Sequence, residues 1–412
     1  MRTVVLIATL DTKHEECAHL QRRLTARGCH TLVVDTGVLG TPGFAADVDR
    51  AAVAEAGGAD LAGLAAAGDL QAAVAAMGRG AAAVVRRLRE EERLDAVLAL
   101  GGSCGTTIAT EAMRALPLGV PKVMVSTMAS GNTRPYVGTS DITMVHSVVD
   151  VAGLNAVSIP VLDNAAAATA GMVTAPRSAP AGTRPLIGAS MIGLTTAAVD
   201  GLRARLEAEG YDVLVFHGNG SGGRSLEALA SQGLLVGVAD LTPTELADDL
   251  LGGVCSAGPD RLTAAGARGL PQVVSLGGLD MVMFGQRASV PARYAGRLLH
   301  SHHANVTLMR TSVADCAELG RRLARKLNAA RGPVSLHLPA DGLSRLSEPG
   351  GAFHDPRADA ALVSALTSAL SPAVTVHRSG LRLNDPAFGA AMADDLARLC
   401  RTSPAAPATP AP

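Results

Sequence analysis

Short apolar runs alternate along this chain with amphipathic stretches. "TVVLIAT" (3–9) reads as a strand, and a helix is predicted over 12–27. "TLVVDTG", then "DAVLALGG" with a helix over 106–116, and then "KVMVST" continue the pattern. This is the rhythm of βαβ units, so a parallel sheet covered by helices is expected. Thr12-Lys13-His14-Glu15 has the form of a capping box, with Thr12 as N-cap. A long Ala-rich helix is predicted through "LDNAAAATAGMV", and the Pro, Gly and Ser of "TAPRSAPAGTRP" (174–185) mark a boundary.

Beyond that boundary the pattern restarts. "LQRRLTARGCHTLVVDTG" (20–37) aligns without a gap on "LRARLEAEGYDVLVFHGN" (202–219), and "DAVLALGG" (95–102) is echoed by "PQVVSLGG" (271–278). A duplication explains both echoes. So does the general likeness of helix–Gly–strand units. The expected architecture is two Rossmann-like α/β domains, 1–178 and 186–398, followed by a disordered Pro/Ala-rich tail at 399–412.

Composition narrows the function classes. The 412 residues are 48% hydrophobic and 18% charged, as in folded globular domains. Aromatics are 2%, with no Trp, and the net charge is -1. Neither base-stacking platforms nor a basic field favours nucleic acid or an anionic membrane as partner. The first apolar stretch is too short for a signal peptide, and no run reaches the ~20 residues of a spanning helix. Six cysteines lack C-x-x-C spacing and read as reduced thiols, so a cytoplasmic protein is expected.

Candidate chemistry lies in loops expected at the carboxyl ends of strands. Gly101, Gly102, Ser103, Cys104 and Gly105 join a strand to a helix, and Thr106 and Thr107 add hydroxyls. Glycines admit close backbone approach, and a helix N-terminus favours an anion. The spacing matches neither G-x-x-x-x-G-K nor G-x-G-x-x-G. Cys104 is either a nucleophile activated by the helix N-terminus or a small filler, and the filler role is favoured. "HGNGSGGRS" offers His217 and Arg224 around four glycines, and the long polar loop 124–144 includes Ser130, Gly131, Asn132 and Asp141. "SLGGLDMVMFG" presents Asp280, and "SHHANVTLMRTS" presents His302, His303, Asn305 and Arg310. Strand alternation puts His300 and His302 on one face, but no third metal ligand is evident nearby, so no metal site is assigned.

Together, "TLDTKHEE", "GGSCGTTIATEAMRALPLGVPKVMVSTMASGNTRPYVGTSDITM", "DVAGLN", "HGNGSGGRSLEAL", "SAGPDRL" and "VTLMRT" closely resemble one family. It includes the N-terminal region of the tomato mosaic virus resistance protein, an ATP-binding inhibitor of viral RNA replication, and many bacterial relatives. The resemblance extends to about residue 398. It implies two Rossmann-like domains, ATP binding and a homodimer. Cys104 stands where the family usually has glycine, Met283 replaces a usual Asn, and "SHHANVTLMRT" departs from "HNPNVTLMRT".

The leading expectation is an ATP-dependent enzyme (ligase, transferase or hydrolase) acting on a small acidic metabolite in a cleft between the domains. Asp11, Thr12, the 101–107 loop and Ser130, Gly131 and Asn132 would hold ATP. Asp11 and Asp280 are the candidates for its Mg2+, His217 for acid/base work, and Arg224 and Arg310 for the substrate's anionic group. The alternatives are a non-catalytic ATP-binding regulator acting through a protein partner, and a hydrolase or lyase that binds a carboxylate without ATP.

Overall fold

The computed structural model describes residues 1–176 and 184–403. The chain divides into two compact units, Met1–Ala179 and Pro180–Pro412. Most of the 174–185 boundary segment and residues 404–412 of the expected tail lie outside the described residues. The last helix, Pro386–Thr402, runs past the expected end of the second domain at 398.

In the first unit, β1 (Thr3–Ala8), β2 (His30–Asp35), β3 (Ala96–Gly101), β4 (Lys122–Ser126) and β5 (Thr143–His146) form one sheet, ordered β2-β1-β3-β4-β5 and parallel throughout. Continuous apolar runs suit such strands because helices cover both faces. Val5 and Ile7 of β1 pack with residues of helices Leu70–Glu90 and Ser103–Arg114. Val4 and Leu6 pack with residues of helices His14–Thr25 and Ser158–Thr174. The one charge in β4, Lys122, is 1% exposed; its Nζ donates to the Pro117 and Val120 carbonyls and, at 2.6 Å, to Asp141. Burial lowers the Lys122 pKa, and the pairing with Asp141 opposes that shift.

The second unit carries β6 (Leu186–Met191), β7 (Asp212–His217), β8 (Gly237–Asp240), β9 (Gln272–Val274), β10 (Met281–Phe284), β11 (Leu299–His303), β12 (Val306–Arg310), β13 (Val334–Leu338) and β14 (Thr375–Arg378). Six of these make a parallel sheet ordered β14-β13-β9-β8-β6-β7. The remaining three form an antiparallel sheet, β10-β12-β11. Both parallel sheets therefore place the second strand outside the first and the third on its other side. The longer repeat falls at equivalent places. Helix His14–Thr25 and β2 answer to helix Thr196–Ala208 and β7. The shorter echo does not, because β3 borders β1 whereas β9 borders β8 rather than β6. No helix among the described residues is long and apolar enough to cross a membrane.

Candidate functional site

The β1/β3 border is where the first sheet reverses its winding. The helix after β1 covers one face and the helix after β3 the other, which opens a crevice at the carboxyl ends of the two strands. A cavity of about 500 Å3 occupies that place. Its floor is the end of β3 and the first turn of helix Ser103–Arg114, with Gly101, Gly102, Ser103, Cys104 and Gly105 in its lining. Asp11, Thr12 and Lys13 follow β1 along one wall.

Two helices begin at this cavity, His14–Thr25 after N-cap Lys13 and Ser103–Arg114 after N-cap Gly102, and neither has a side-chain cap. Uncapped first turns present unpaired N–H groups and the positive end of the helix dipole. Capping-box geometry is accordingly not formed at Thr12. Helix His14–Thr25 starts later, and the Thr12 hydroxyl lies 3.0 Å from that of Thr9 and 3.3 Å from Asp11 Oδ1. Asp11 Oδ2 accepts from the Leu39 N–H at 3.2 Å, which ties the loop after β2 to the site. Beneath it, buried Asp35 fixes the turn, accepting from the Leu10 and Gly37 N–H groups. Burial raises the Asp35 pKa, and those two hydrogen bonds hold it down.

Apolar side chains share the lining: Val38, Leu39, Leu64, Leu70, Val74 and Ile108, together with the carboxylate of Asp150. Sequence reasoning missed this apolar lining and Lys13. Except for Ile108, in helix Ser103–Arg114, its residues come from the loop after β2 and from helices Leu61–Ala67 and Leu70–Glu90, which carry no motif.

Of the expected nucleotide residues, Asp11, Thr12, Gly101, Gly102, Ser103 and Gly105 meet at this cavity. Thr106 does not. It is fully buried, and its hydroxyl pairs with Ser126 Oγ at 2.6 Å, joining the ends of β3 and β4. The Thr107 hydroxyl donates to the Ser103 carbonyl within its own helix. Ser130, Gly131 and Asn132 are exposed and absent from the lining; Asn132 Oδ1 accepts from the Arg134 N–H instead.

In the second unit the candidates disperse. The glycine loop after β7 already holds an anion of its own, the carboxylate of fully buried Glu245. Glu245 Oε1 accepts from the Gly220 and Gly223 N–H groups at 2.6 and 3.0 Å. A Cβ at Gly223 would lie 1.9 Å from Glu245 Oε2, which explains that glycine. The expected phosphate or carboxylate site at 217–225 is therefore filled from within. His217 is exposed at the end of β7, and Arg224 Nη1 donates to the Ser256 carbonyl at 3.1 Å.

Asp280 and Arg310 require correction. Asp280 is fully buried and accepts from the Ser344 hydroxyl at 2.7 Å, so it is closed to hydrated Mg2+. Burial raises its pKa, against that hydrogen bond and the charge of Arg310. Arg310 is 4% exposed, and its guanidinium serves the Phe353, Asp280 and Asp355 carbonyls, the Thr311 hydroxyl and Asp359. No donor remains for a substrate. Arg310→Ala should lower stability by about 3 kcal/mol, since it strands the Asp359 carboxylate, which burial already pushes up to about 6; chemical denaturation would measure the loss. Strict alternation in β11 ends at His302, because the β11/β12 register shifts between Ser301 and His303.

Comparison with known proteins accords with this two-unit division. The model of the uncharacterised protein family UPF0261 N-terminal domain matches residues 2–178, and that of its C-terminal domain matches 184–400. The chain belongs to the UPF0261 family. A UPF0261 protein of Clostridium tetani is 43% identical over 396 residues, 96% of this chain and 98% of that one. One from Mesorhizobium japonicum is 45% identical over 404 residues, 97% and 100% of the two chains. The ToMV resistance protein Tm-1(GCR237) of Solanum lycopersicum is 40% identical over 329 residues, 78% of this UPF0261 chain and 44% of the tomato protein. The resemblance read from the motifs is thus correct.

Proposed function

We propose that the N-terminal unit is a nucleotide-binding module and that its ligand is ATP with Mg2+. The observation that carries this reading is the meeting of two uncapped helix N-termini at one cavity whose lining also holds Lys13 and a group of apolar side chains. The N–H groups and Lys13 suit a polyphosphate, and the apolar lining suits a base. Asp11 and Asp150 supply carboxylates for Mg2+ or a ribose hydroxyl. The test is calorimetric titration with MgATP, for which 1:1 binding is expected. No heat of binding, with the protein folded, would overturn the reading.

The favoured role of the bound nucleotide is regulatory. A catalytic role would call on polar loops in the second unit, where Asp280 and Arg310 are buried and Glu245 fills the glycine loop. ADP release measured with a panel of small carboxylic acids should stay at the background rate. Release stimulated by one acid would restore the ATP-dependent enzyme. A homodimer is the assembly that the family resemblance implies, with light scattering as its test.

Cys104 lines the nucleotide cavity and is partly exposed. As a filler it is dispensable, so Cys104→Ala should bind MgATP like the parent. A tenfold loss of affinity would instead give the thiol a direct role.

A further inference from the structure

His337 and His377 stand opposite each other on the neighbouring parallel strands β13 and β14. Their rings stack with centroids 4.5 Å apart. Both Nε2 atoms converge on a single oxygen, Oδ2 of Asp395 in helix Pro386–Thr402, at 3.0 and 3.2 Å. The His337 contact is a hydrogen bond. The His377 nitrogen, although buried and close, lies off the hydrogen-bond line and has no hydrogen-bond partner. The other oxygen of Asp395 accepts from Arg398.

We infer that His337 Nε2, His377 Nε2 and Asp395 Oδ2 form a binding site for a divalent first-row transition metal, with zinc the best match to this ligand set. Zinc bonds of about 2.0–2.2 Å place neighbouring tetrahedral ligands roughly 3.2–3.6 Å apart. The His377 separation, 3.2 Å, meets the lower edge of that range and the His337 separation, 3.0 Å, falls just short of it, so a small outward shift admits the ion. Arg398 steadies the carboxylate from behind, as outer partners do around bound metals.

The cluster opens onto a cavity of about 400 Å3 that also has Arg378 and Ser379 in its lining. Three protein ligands and an open position are the pattern of a site that exchanges water or an anion, unlike the closed four-ligand structural sites. A purely hydrogen-bonded His–Asp–His group is the competing account, and it leaves the orientation of His377 Nε2 unexplained. The inference lies wholly within the second unit and does not depend on nucleotide binding.

The experiment is titration of chelator-treated full-length protein with Zn2+ by calorimetry, repeated with Co2+ to record its visible ligand-field bands. One Zn2+ per chain is expected, with Co2+ bands typical of nitrogen and oxygen ligands. The His377 side chain is 43% exposed, so His377→Ala should fold and bind Zn2+ more than tenfold more weakly; Asp395→Asn should do the same. His302→Ala, near the exposed turn of the β11/β12 hairpin, should bind like the parent. No stoichiometric uptake by the parent, unchanged binding in His377→Ala and Asp395→Asn, or loss confined to His302→Ala would each overturn the site.

Discussion

Gly102→Val should weaken MgATP binding about 100-fold and leave the melting temperature almost unchanged. Gly102 has φ −77° and ψ −158°, extended backbone that a β-branched residue adopts readily. A Cβ there would meet only Thr127 Oγ1, at 3.9 Å, so the protein itself does not oppose the branch point of a side chain. The ligand does not, because Gly102 lies on the cavity floor where N–H groups must approach phosphate. Losing two charge-assisted hydrogen bonds at ~1.5 kcal/mol each, the lower end of their usual worth, accounts for the factor. Gly101→Ala is the contrasting variant. Its Cβ would come within 2.9 Å of Gly105 Cα, a clash with backbone, so it should lose stability before it loses affinity. Calorimetry and thermal melts on both variants separate the two glycines. If Gly102→Val binds MgATP like the parent, the phosphates do not sit on this loop.

The strand framework is legible in the sequence where strands are buried on both faces. Thr3–Ala8, His30–Asp35, Ala96–Gly101 and Lys122–Ser126 are near-continuous apolar runs, and each is a strand. β5 reads as part of a polar loop because "TMVH" is short, none of its residues is fully buried, and it follows a polar turn. The glycine loop after β3 is legible because its chemistry is local. The loop after β7 looks equally good in the sequence and is closed, since the residue that fills it, Glu245, lies some twenty positions further along. Arg310 misleads for the same reason. An arginine at the end of "VTLMR" resembles a ligand-binding cation until the chain from Phe353 to Asp359 folds over it. Burial of a polar side chain is decided by distant segments, which local pattern does not reveal.

Arg261→Ala should be the most damaging single substitution in the second unit. Arg261 is fully buried with no side-chain exposure, and it binds three carboxylates. Its guanidinium forks onto Asp240, Nε donates to Glu245 at 2.6 Å, and Nη1 reaches Glu227 at 3.3 Å. Burial opposes the positive charge, but the fields of Asp240, Glu245 and Glu227 outweigh it and hold the pKa well above the usual value. Each partner fixes backbone in turn. Glu245 holds the glycine loop after β7, and Glu227 accepts from the Leu262, Thr263 and Ala264 N–H groups. Removing the cation leaves Asp240 and Glu245 buried without their counter-charge, a defect that costs about 3–5 kcal/mol. At ~2–4 °C per kcal/mol for a domain of this size, the melting temperature of the second unit should fall by roughly 10 °C. Arg261→Lys should recover only part of that loss, because one ammonium cannot serve Asp240 in a fork and reach Glu245 as well. MgATP binding in the first unit should persist in Arg261→Lys at temperatures where the protein stays folded. A melting temperature within ~2 °C of the parent for Arg261→Ala would mean that water replaces the guanidinium. The glycine loop would then owe its closure to Glu245 alone.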